Sequence, residues 1–577
     1  MKKQIIHLIV ALVCWNINAQ TTFQGKVIDS VSKESLIYTH VYNASRGHGT
    51  LTNNSGDFEI LANSNDTILV SYLGYKDRIF TAKDIENNEI ELYPTSNRLS
   101  EITITAQRKD LYQILQDSKQ LLIGSKETIA KAYYLVNSSE DNNPVEFTEI
   151  FYNAKIKNGS IENLSFKNGN SYLNANAQED WFLNINMSQA FSMYNIIDTN
   201  RSLPQNPYQL SKRKLKRKYT LNELEHNTSF LKIEFTPKEI NSNYCSGIIW
   251  LDSKDYSLVK LEIDGDNKNN FFQPIGITSI DKLDYTISYN YSKNLDAYRL
   301  SHVSVSYKCI VRNDTESRII KTEAILHMTK YDEKYFTPRF EFVEGTSDYK
   351  LISLVPDTAI FNYLSKEGHI KLTKKQSANL AKLRANGQNF GNSEFGNEFF
   401  ENNYVVWSED RITMKKAKKK IKIEDVRSIE DRIDRYGFNA DKLEIRPLIY
   451  IDFQQSDTGV IIETSSILDI YNSYNRLDDG VRLQTYLNIY FDLVEVYRRR
   501  FLNSINPQMS RIEDIEKAFN LLLLQLEEQQ ALLRDDSFAG QDIDKLSKWN
   551  DLIYSELGIN NFALFGIMET EPASKNR

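Results

Sequence analysis

The chain has 577 residues, with 70 Lys+Arg against 77 Asp+Glu and a formal charge of −7. Its 41% hydrophobic and 25% charged fractions are those of a globular chain and exclude a disordered, collagen-like or coiled-coil rod as the main architecture. The acidic balance argues against a nucleic-acid binder, and three cysteines exclude both a disulfide-stapled scaffold and a multi-cysteine zinc framework.

Residues 1–19 read as a secretory signal peptide. Lys2 and Lys3 form the charged end, Ile5 to Trp15 the apolar stretch, and Ala19 the small residue before a cut that leaves Gln20 first. The apolar stretch is too short for the ~20 residues of a spanning helix, and no later stretch is long enough either. A lipoprotein signal would use Cys14, but Val13 stands where a small residue is expected. The protein is therefore expected to be exported, in the periplasm or associated with the outer membrane. Cys245 and Cys309 remain in the mature chain, both in strand-like segments, where a disulfide and two buried thiols are both open.

From Thr22 to about Ala106 short β-type runs alternate with turn residues every eight to twelve positions. The runs are Phe23–Asp29, Leu36–Tyr42, Gly49–Leu51, Phe58–Leu61, Thr67–Tyr72, Arg78–Thr81, Glu89–Tyr93 and Glu101–Ala106, with a tight turn at Asn53-Asn54-Ser55-Gly56. Gly25-x-Val27-x-Asp29, Gly49-Thr50-x-Thr52, Gly56-x-Phe58-x-Ile60 and Val70-Ser71-Tyr72-x-Gly74-Tyr75 follow in an order that resembles the carboxypeptidase regulatory-like domain. That resemblance implies a transthyretin-like Greek-key sandwich of the kind carried by exported Bacteroidetes proteins, a structural or interaction module without catalytic residues of its own. Leu99–Ala106 is similar to the segment joining such domains to the plug of TonB-dependent receptors.

Asp110–Ala130 carries Leu111, Ile114, Leu115, Leu121 and Leu122 on one helical face. Strands are expected at Glu146–Lys157, Ser229–Phe235, Gly247–Leu251, Leu258–Ile263, Lys282–Tyr291, Arg299–Val311 and Arg318–Thr329. Short turns between them favour one strongly curved antiparallel sheet over Glu146–Phe342, with the leucine face of the helix packed on it. Trp250, Leu258, Leu261 and Ile263 are expected to line the same interior, filled or open. The Gly247–Leu261 hairpin resembles one in the LolA/RseB-like half-barrels that cradle acyl chains or lipoproteins, and the arrangement as a whole resembles uncharacterised Bacteroidetes envelope proteins.

Beyond Ser347 helices are expected at Leu372–Ala385, Ile423–Tyr436, Ile467–Tyr474, Leu483–Phe501, Arg511–Arg534 and Ile543–Leu557, with a hairpin at Leu448–Phe453 and Gly459–Ile462. Asn386–Asn403 reads as a loop, and Arg498–Arg500 are placed to complement a helix C-terminus. The expected architecture is multidomain: signal peptide 1–19, all-β Greek-key sandwich 20–106, central antiparallel β-rich domain with a helix 107–345, and a mainly α C-terminal region 346–577.

No chemistry-bearing motif is complete. None of the seven histidines starts a zinc motif, and His40 and His48 read as a surface or core pair. Gly391–Gly396 misses the nucleophile elbow by one residue, and Lys268 spoils a calcium loop at Asp264–Lys268. The basic runs Lys212–Lys218 and Lys415–Lys422 could meet anionic lipid headgroups, but a solvated loop and a solvated helix face are the expectation. No catalytic, cofactor-binding or metal-ligating residue is nominated, and no cofactor is expected. The sequence points to a non-enzymatic exported envelope protein that binds or docks to a protein partner or a lipid or glycan ligand. The alternatives are an accessory component of TonB-dependent receptor machinery and a lipid or lipoprotein carrier. Nucleic acid is not an expected partner.

Overall fold

The structure is a computed structural model, and it describes residues 22–84, 89–95, 110–174, 191, 195–198, 204–239, 243–266, 279–294, 297–312, 317–331, 351–352, 359–386, 388–389, 404–407, 443–456, 459–470, 472–477, 480–506 and 511–567. The signal peptide with Cys14, the receptor-like segment 99–106, the chain around 342–350, the near-elbow 391–396, the basic run 415–422 and the helix expected over 423–436 lie outside the described residues. Two compact units emerge. The first takes residues 1–164, 172–333 and 362–387, the second 165–171, 334–361 and 388–577. The expected sequence boundary at 106/107 thus falls inside one unit, which holds both the sandwich and the central sheet.

The sandwich starts with β1 (Thr22–Asp29), antiparallel to β4 (Asp57–Leu61) and parallel to β7 (Glu89–Leu92). Its second sheet runs in the order β3 (His48–Leu51), β2 (His40–Asn43), β5 (Thr67–Ser71) and β6 (Arg78–Thr81). The turn read at 53–56 is built by Asn53, whose Oδ1 accepts from the amides of Ser55 and Asp57 at 2.8 and 3.0 Å. Gly56 completes it at φ +79°, where a Cβ would also come within 2.7 Å of Val27 O. Val27, Val41, Phe58, Ile68 and Val70 are fully buried between the sheets. The strand expected at Leu36–Tyr42 begins only at His40, because Tyr38 sits at φ +56° and breaks the extended run.

Helix α1 covers Leu111–Ile123, capped by Asp110, whose side chain accepts from Tyr112 N, and closed at Gly124. The sequence extends this helix to Ala130. It stops earlier because the β-branched Thr128 and Ile129 open strand β8 (Thr128–Glu140). Then follow β9 (Asn143–Lys157), β10 (Ser160–Leu173), α2 (Lys212–Lys218), β11 (Tyr219–His226), β12 (Phe230–Pro237), β13 (Ser246–Asp252), β14 (Leu258–Asp266), β15 (Ser279–Asn294), β16 (Ala297–Arg312) and β17 (Ser317–Tyr331). The strands from β11 to β17 pair in sequence order, and β17 then pairs with β8 and β8 with β9, all antiparallel. This is the single curled sheet expected. The basic run 212–218 is a short helix rather than a loop, with Leu215 buried beneath it and Lys212 and Lys216 paired to Asp110.

Register separates two faces. One row crosses the sheet as Ile233, Ile249, Leu261, Tyr289, Val303, Leu326 and Tyr134, all buried apolar side chains. Helix α1 serves this face: Leu122 Cδ2 would meet a Gly159 Cβ at 2.6 Å, Tyr291 Oη donates to Gly159 O at 2.6 Å, and Ser118 and Tyr208 share a 3.0 Å hydrogen bond. Leu258, Leu261 and Ile263 belong here. Trp250 does not, contrary to expectation. It pairs with Lys232 and Lys260, one residue out of phase with Ile249, and both ammonium groups lie over its ring, at 5.2 and 4.7 Å.

The sandwich meets the opposite face. Nε2 of His327 in β17 lies 3.2 Å from Gly49 O of β3, Lys330 pairs with His48, and Tyr38 packs at a tilt against His302 with ring centroids 5.8 Å apart. Helix α3 (Ala359–Gly368) leads to residues 369–371, whose carbonyls accept from Thr50 Oγ1 and Asn53 Nδ2. Helix α4 (Lys374–Asn386) follows, two residues later than expected at its start.

The second unit packs β18 (Tyr404–Val406), β21 (Gly459–Asp469) and β20 (Pro447–Ser456) in that order as an antiparallel sheet; β19 (Leu443–Glu444) pairs with β22 (Tyr474–Asn475). Helices α5 (Val481–Ser504), α6 (Ile512–Ser537), α7 (Ile543–Leu557) and α8 (Asn561–Phe565) share one core with it, including Phe453, Ile489, Leu493, Leu533 and Ile553. The helix expected at Ile467–Tyr474 is not formed: β21 runs to Asp469, and Ile467 and Leu468 pair with Leu448 and Pro447. Arg498–Arg500 do not end their helix, which continues to Ser504. Arg498 and Arg499 bind Glu495 and Arg500 binds Glu556.

Candidate functional site

A cleft of about 580 Å³ opens in the first unit between the sandwich and the face of the sheet that carries Trp250. Its sandwich wall is the segment Ile37–His40 and the turn Ser71–Asp77; its floor is the alternate residues of β14, β15 and β16. Pairing aligns those residues into polar rows. Glu262, Ser288 and Ser304 lie side by side across three strands, as do Lys260, Asn290 and His302, while Thr286 faces Ser306. Such neighbours stand about 4.5–5.5 Å apart, so the floor is a grid of hydrogen-bonding groups.

The walls are aromatic. Tyr72 and Tyr75 pack at 5.4 Å, and Tyr75 Oη donates to Asp29 Oδ2 at 2.5 Å. That bond holds the Asp29 carboxyl below its usual range, and burial with the same bond pushes the Tyr75 hydroxyl up to about 12. On the other side Tyr298 Oη donates to Asp252 Oδ2 at 2.8 Å, and Lys293 lies over the Tyr298 ring at 5.6 Å. Gly74 turns at φ +86° and leaves only 3.7 Å between a Cβ position and Phe230. Tyr38 holds a left-handed backbone that a bulky side chain rarely adopts, at a cost of the order of 1–3 kcal/mol.

Three histidines meet behind this wall. His40 lies 6.4 Å from His327, edge-on, rather than beside His48; β2 and β3 place His40 opposite Leu51 and His48 opposite Asn43. Burial lowers all three side chains, with neighbouring imidazoles adding to the effect at His40 and His302: His40 to about 3, His327 to about 4, and His302 well below its ordinary value. His327 is held from both sides, Nδ1 at 3.0 Å from Ser301 O and Nε2 at 3.2 Å from Gly49 O. His40 Nδ1 is buried with no hydrogen-bond partner.

Because the folded values lie below the ordinary 6.5, the unfolded chain takes up protons first as pH falls. Stability is therefore full above pH 6.5 and drops as pH falls toward 4 and 3. For His327 alone the difference is roughly 3 kcal/mol. Lys260 also acts electrostatically on His302 and lowers it further, and Glu323 acts on the adjoining Tyr38. Urea unfolding at pH 7, 5.5 and 4 should show a steep loss, and His327→Gln, whose amide can donate to the carbonyl that the single N–H of the neutral imidazole serves, should flatten it. An unchanged pH slope in that variant would refute the assignment.

Among the described residues no group of three or more His, Cys, Asp or Glu could hold a metal, and no helix is long and apolar enough to cross a membrane. Cys245 and Cys309 are both buried thiols that form no disulfide with each other. Asp264–Asp266 continue β14 instead of forming a loop. The sequence nominated no site residue, so every member of the cleft was missed. The alternating Ser, Thr and Asn of β15 and β16 were the available signal.

An all-β sandwich joined to a curled antiparallel sheet with C-terminal helices defines a multidomain, β-rich protein. Its residues 23–104 match the family described as the CarboxypepD_reg-like domain, so the sandwich is a carboxypeptidase regulatory-like domain. No curated protein is similar to the chain. Among solved structures it is similar to a putative outer membrane lipoprotein-sorting protein domain from Vibrio parahaemolyticus, at 14% identity over 42% of this chain and 95% of that one, TM-score 0.18. A LolA superfamily protein from Nitrosomonas europaea follows at 10% identity, 39% and 96% coverage and TM-score 0.17. The MucA/MucB complex of Pseudomonas aeruginosa gives 7%, 37% and 93%, and 0.14.

Proposed function

We propose that this is a non-enzymatic, exported cell-envelope protein whose first unit binds a ligand in the cleft between the regulatory-like domain and the central sheet. The observation that carries this reading is the cleft itself, about 580 Å³ and lined by tyrosines and hydrogen-bonding side chains, a size and composition suited to a small ligand. Export rests on the N-terminal segment ending at Ala19. The lining brings Ser301 Oγ within 3.3 Å of His302 Nδ1, but burial and the neighbouring imidazoles hold His302 well below its ordinary value and make it a weak base, so binding rather than catalysis is favoured.

Native mass spectrometry of protein purified from its own envelope fraction tests this. A co-purifying small molecule is expected, and it should be lost in Ser306→Trp, which places a large ring over the exposed end of the floor. A bound mass that the variant leaves unchanged would place the ligand elsewhere. The same spectrum should show a chain beginning at Gln20; an acylated Cys14 would overturn the cleavage assignment.

A further inference from the structure

We propose that the ligand of the cleft is a neutral oligosaccharide, an inference that rests on the binding reading above. Three independent features of the cleft favour this chemistry. The floor carries short hydroxyls and an amide in register, Ser288 beside Ser304, Thr286 beside Ser306, and Asn290 beside His302. Thr286 Oγ1 donates to Asp264 Oδ1 at 2.8 Å and Asn290 Nδ2 to Ser288 Oγ at 3.0 Å, which leaves Thr286 able to accept and Ser288 able to donate. Hydroxyl side chains donate and accept alike, which suits the hydroxyls of a sugar ring, and their ladder spacing lets neighbouring groups engage one ring. The walls offer Tyr38, Tyr72, Tyr75 and Tyr298, amphipathic rings whose faces accept the C–H side of a pyranose while their edges stay polar.

Charge is the second feature. Asp77, Asp252 and Glu262 are matched by Lys254, Lys260 and Lys293. Lys260 and Glu262 neutralise each other at 2.7 Å, and Asp252 is already engaged by Tyr298. An anionic ligand would need an uncompensated cationic cluster, and the cleft offers balance instead. An acyl chain would need a predominantly aliphatic lining, whereas Ile37, Leu73 and Val259 are the aliphatic side chains here.

The third feature is local strain in the cleft wall. His40 lines the cleft, is 7% exposed, and keeps Nδ1 buried without a hydrogen-bond partner. A buried polar atom left unpaired is unfavourable, a local cost carried next to the cleft. The left-handed Tyr38 two residues earlier is a strained position of the sort that binding sites retain.

Titration calorimetry of the full mature chain with maltoheptaose, xylohexaose, mannohexaose and chitohexaose tests the inference. At least one is expected to bind, and both Tyr298→Ala and Ser306→Trp should weaken it at least tenfold, with Tyr298→Phe falling between wild type and Tyr298→Ala. Superimposable circular dichroism spectra would show that the variants fold, and Ser306, being exposed, tolerates the change independently of Tyr298. No binding by any of the four at millimolar concentration overturns the proposal, as does binding that neither variant alters. Palmitate or heparin oligosaccharide binding that Ser306→Trp abolishes would overturn the neutral-sugar assignment while leaving the cleft as the binding site.

Discussion

Replacing Lys167 with Met is expected to cost about 3–5 kcal/mol of stability in the second unit. Lys167 Nζ lies 2.7 Å from Asp452 Oδ1, with side-chain exposures of 1% and 0%. Its neighbour Asn168 donates to both oxygens of the buried Glu463, at 3.0 and 3.2 Å. Phe453 N also donates to Asp452 Oδ1, at 2.9 Å, so that oxygen accepts from both the ammonium and a backbone N–H. Removing the lysine alone strands a charge in the interior, while Lys167→Met with Asp452→Leu removes both and should recover most of the loss. Urea unfolding of the three variants measures this. A single variant within 1 kcal/mol of wild type, or a double no better than the single, would show that the pair is not stabilised by burial together.

Phe58→Ala should cost a similar amount, about 3–5 kcal/mol, in the N-terminal domain. Phe58 is fully buried, pairs with Gly25 across the first sheet and packs against the Phe23 ring at 5.6 Å. The two sheets interdigitate over it with Val27, Val41, Ile68 and Val70, which leaves little freedom for the site to collapse around a deleted ring. The isolated segment 20–106 is large enough to fold alone, so its urea midpoint reports the loss directly. A shift equivalent to less than 1 kcal/mol would remove Phe58 from the core.

Where local chemistry decides structure, the sequence was sufficient. The sandwich strands follow from alternation between turns such as Asn53–Gly56, and the helix Ile543–Leu557 has the bounds its periodicity suggests. Elements decided by distant partners were not legible. Strand Ser160–Leu173 carries Lys167 and Asn168 at buried positions, which read as surface until Asp452 and Glu463 face them. Ile467, Leu468 and Ile470 have helical spacing, yet the pairing with β20 draws the first two into a strand. The cleft was the least legible feature. Its residues come from short segments scattered over residues 37–306, and the meeting of His302 with His327 depends on the register of β16 and β17.

The walls of that cleft belong to segments far apart in the chain, Ile37–Asp77 on one side and Asp252–Ser306 on the other. Any occupant touching both therefore acts as a non-covalent cross-link. By mass action it stabilises the docked arrangement by RT ln(1 + [L]/Kd), about 2.7 kcal/mol when the ligand is at a hundred times its dissociation constant. The sandwich and the sheet, already joined by the β3–β17 pairing and the His327–Gly49 contact, would then melt together at a higher temperature in the occupied protein. Occupancy of a small polar cleft would in this way be readable at a distance, as a change in how firmly the N-terminal domain is held to the central sheet.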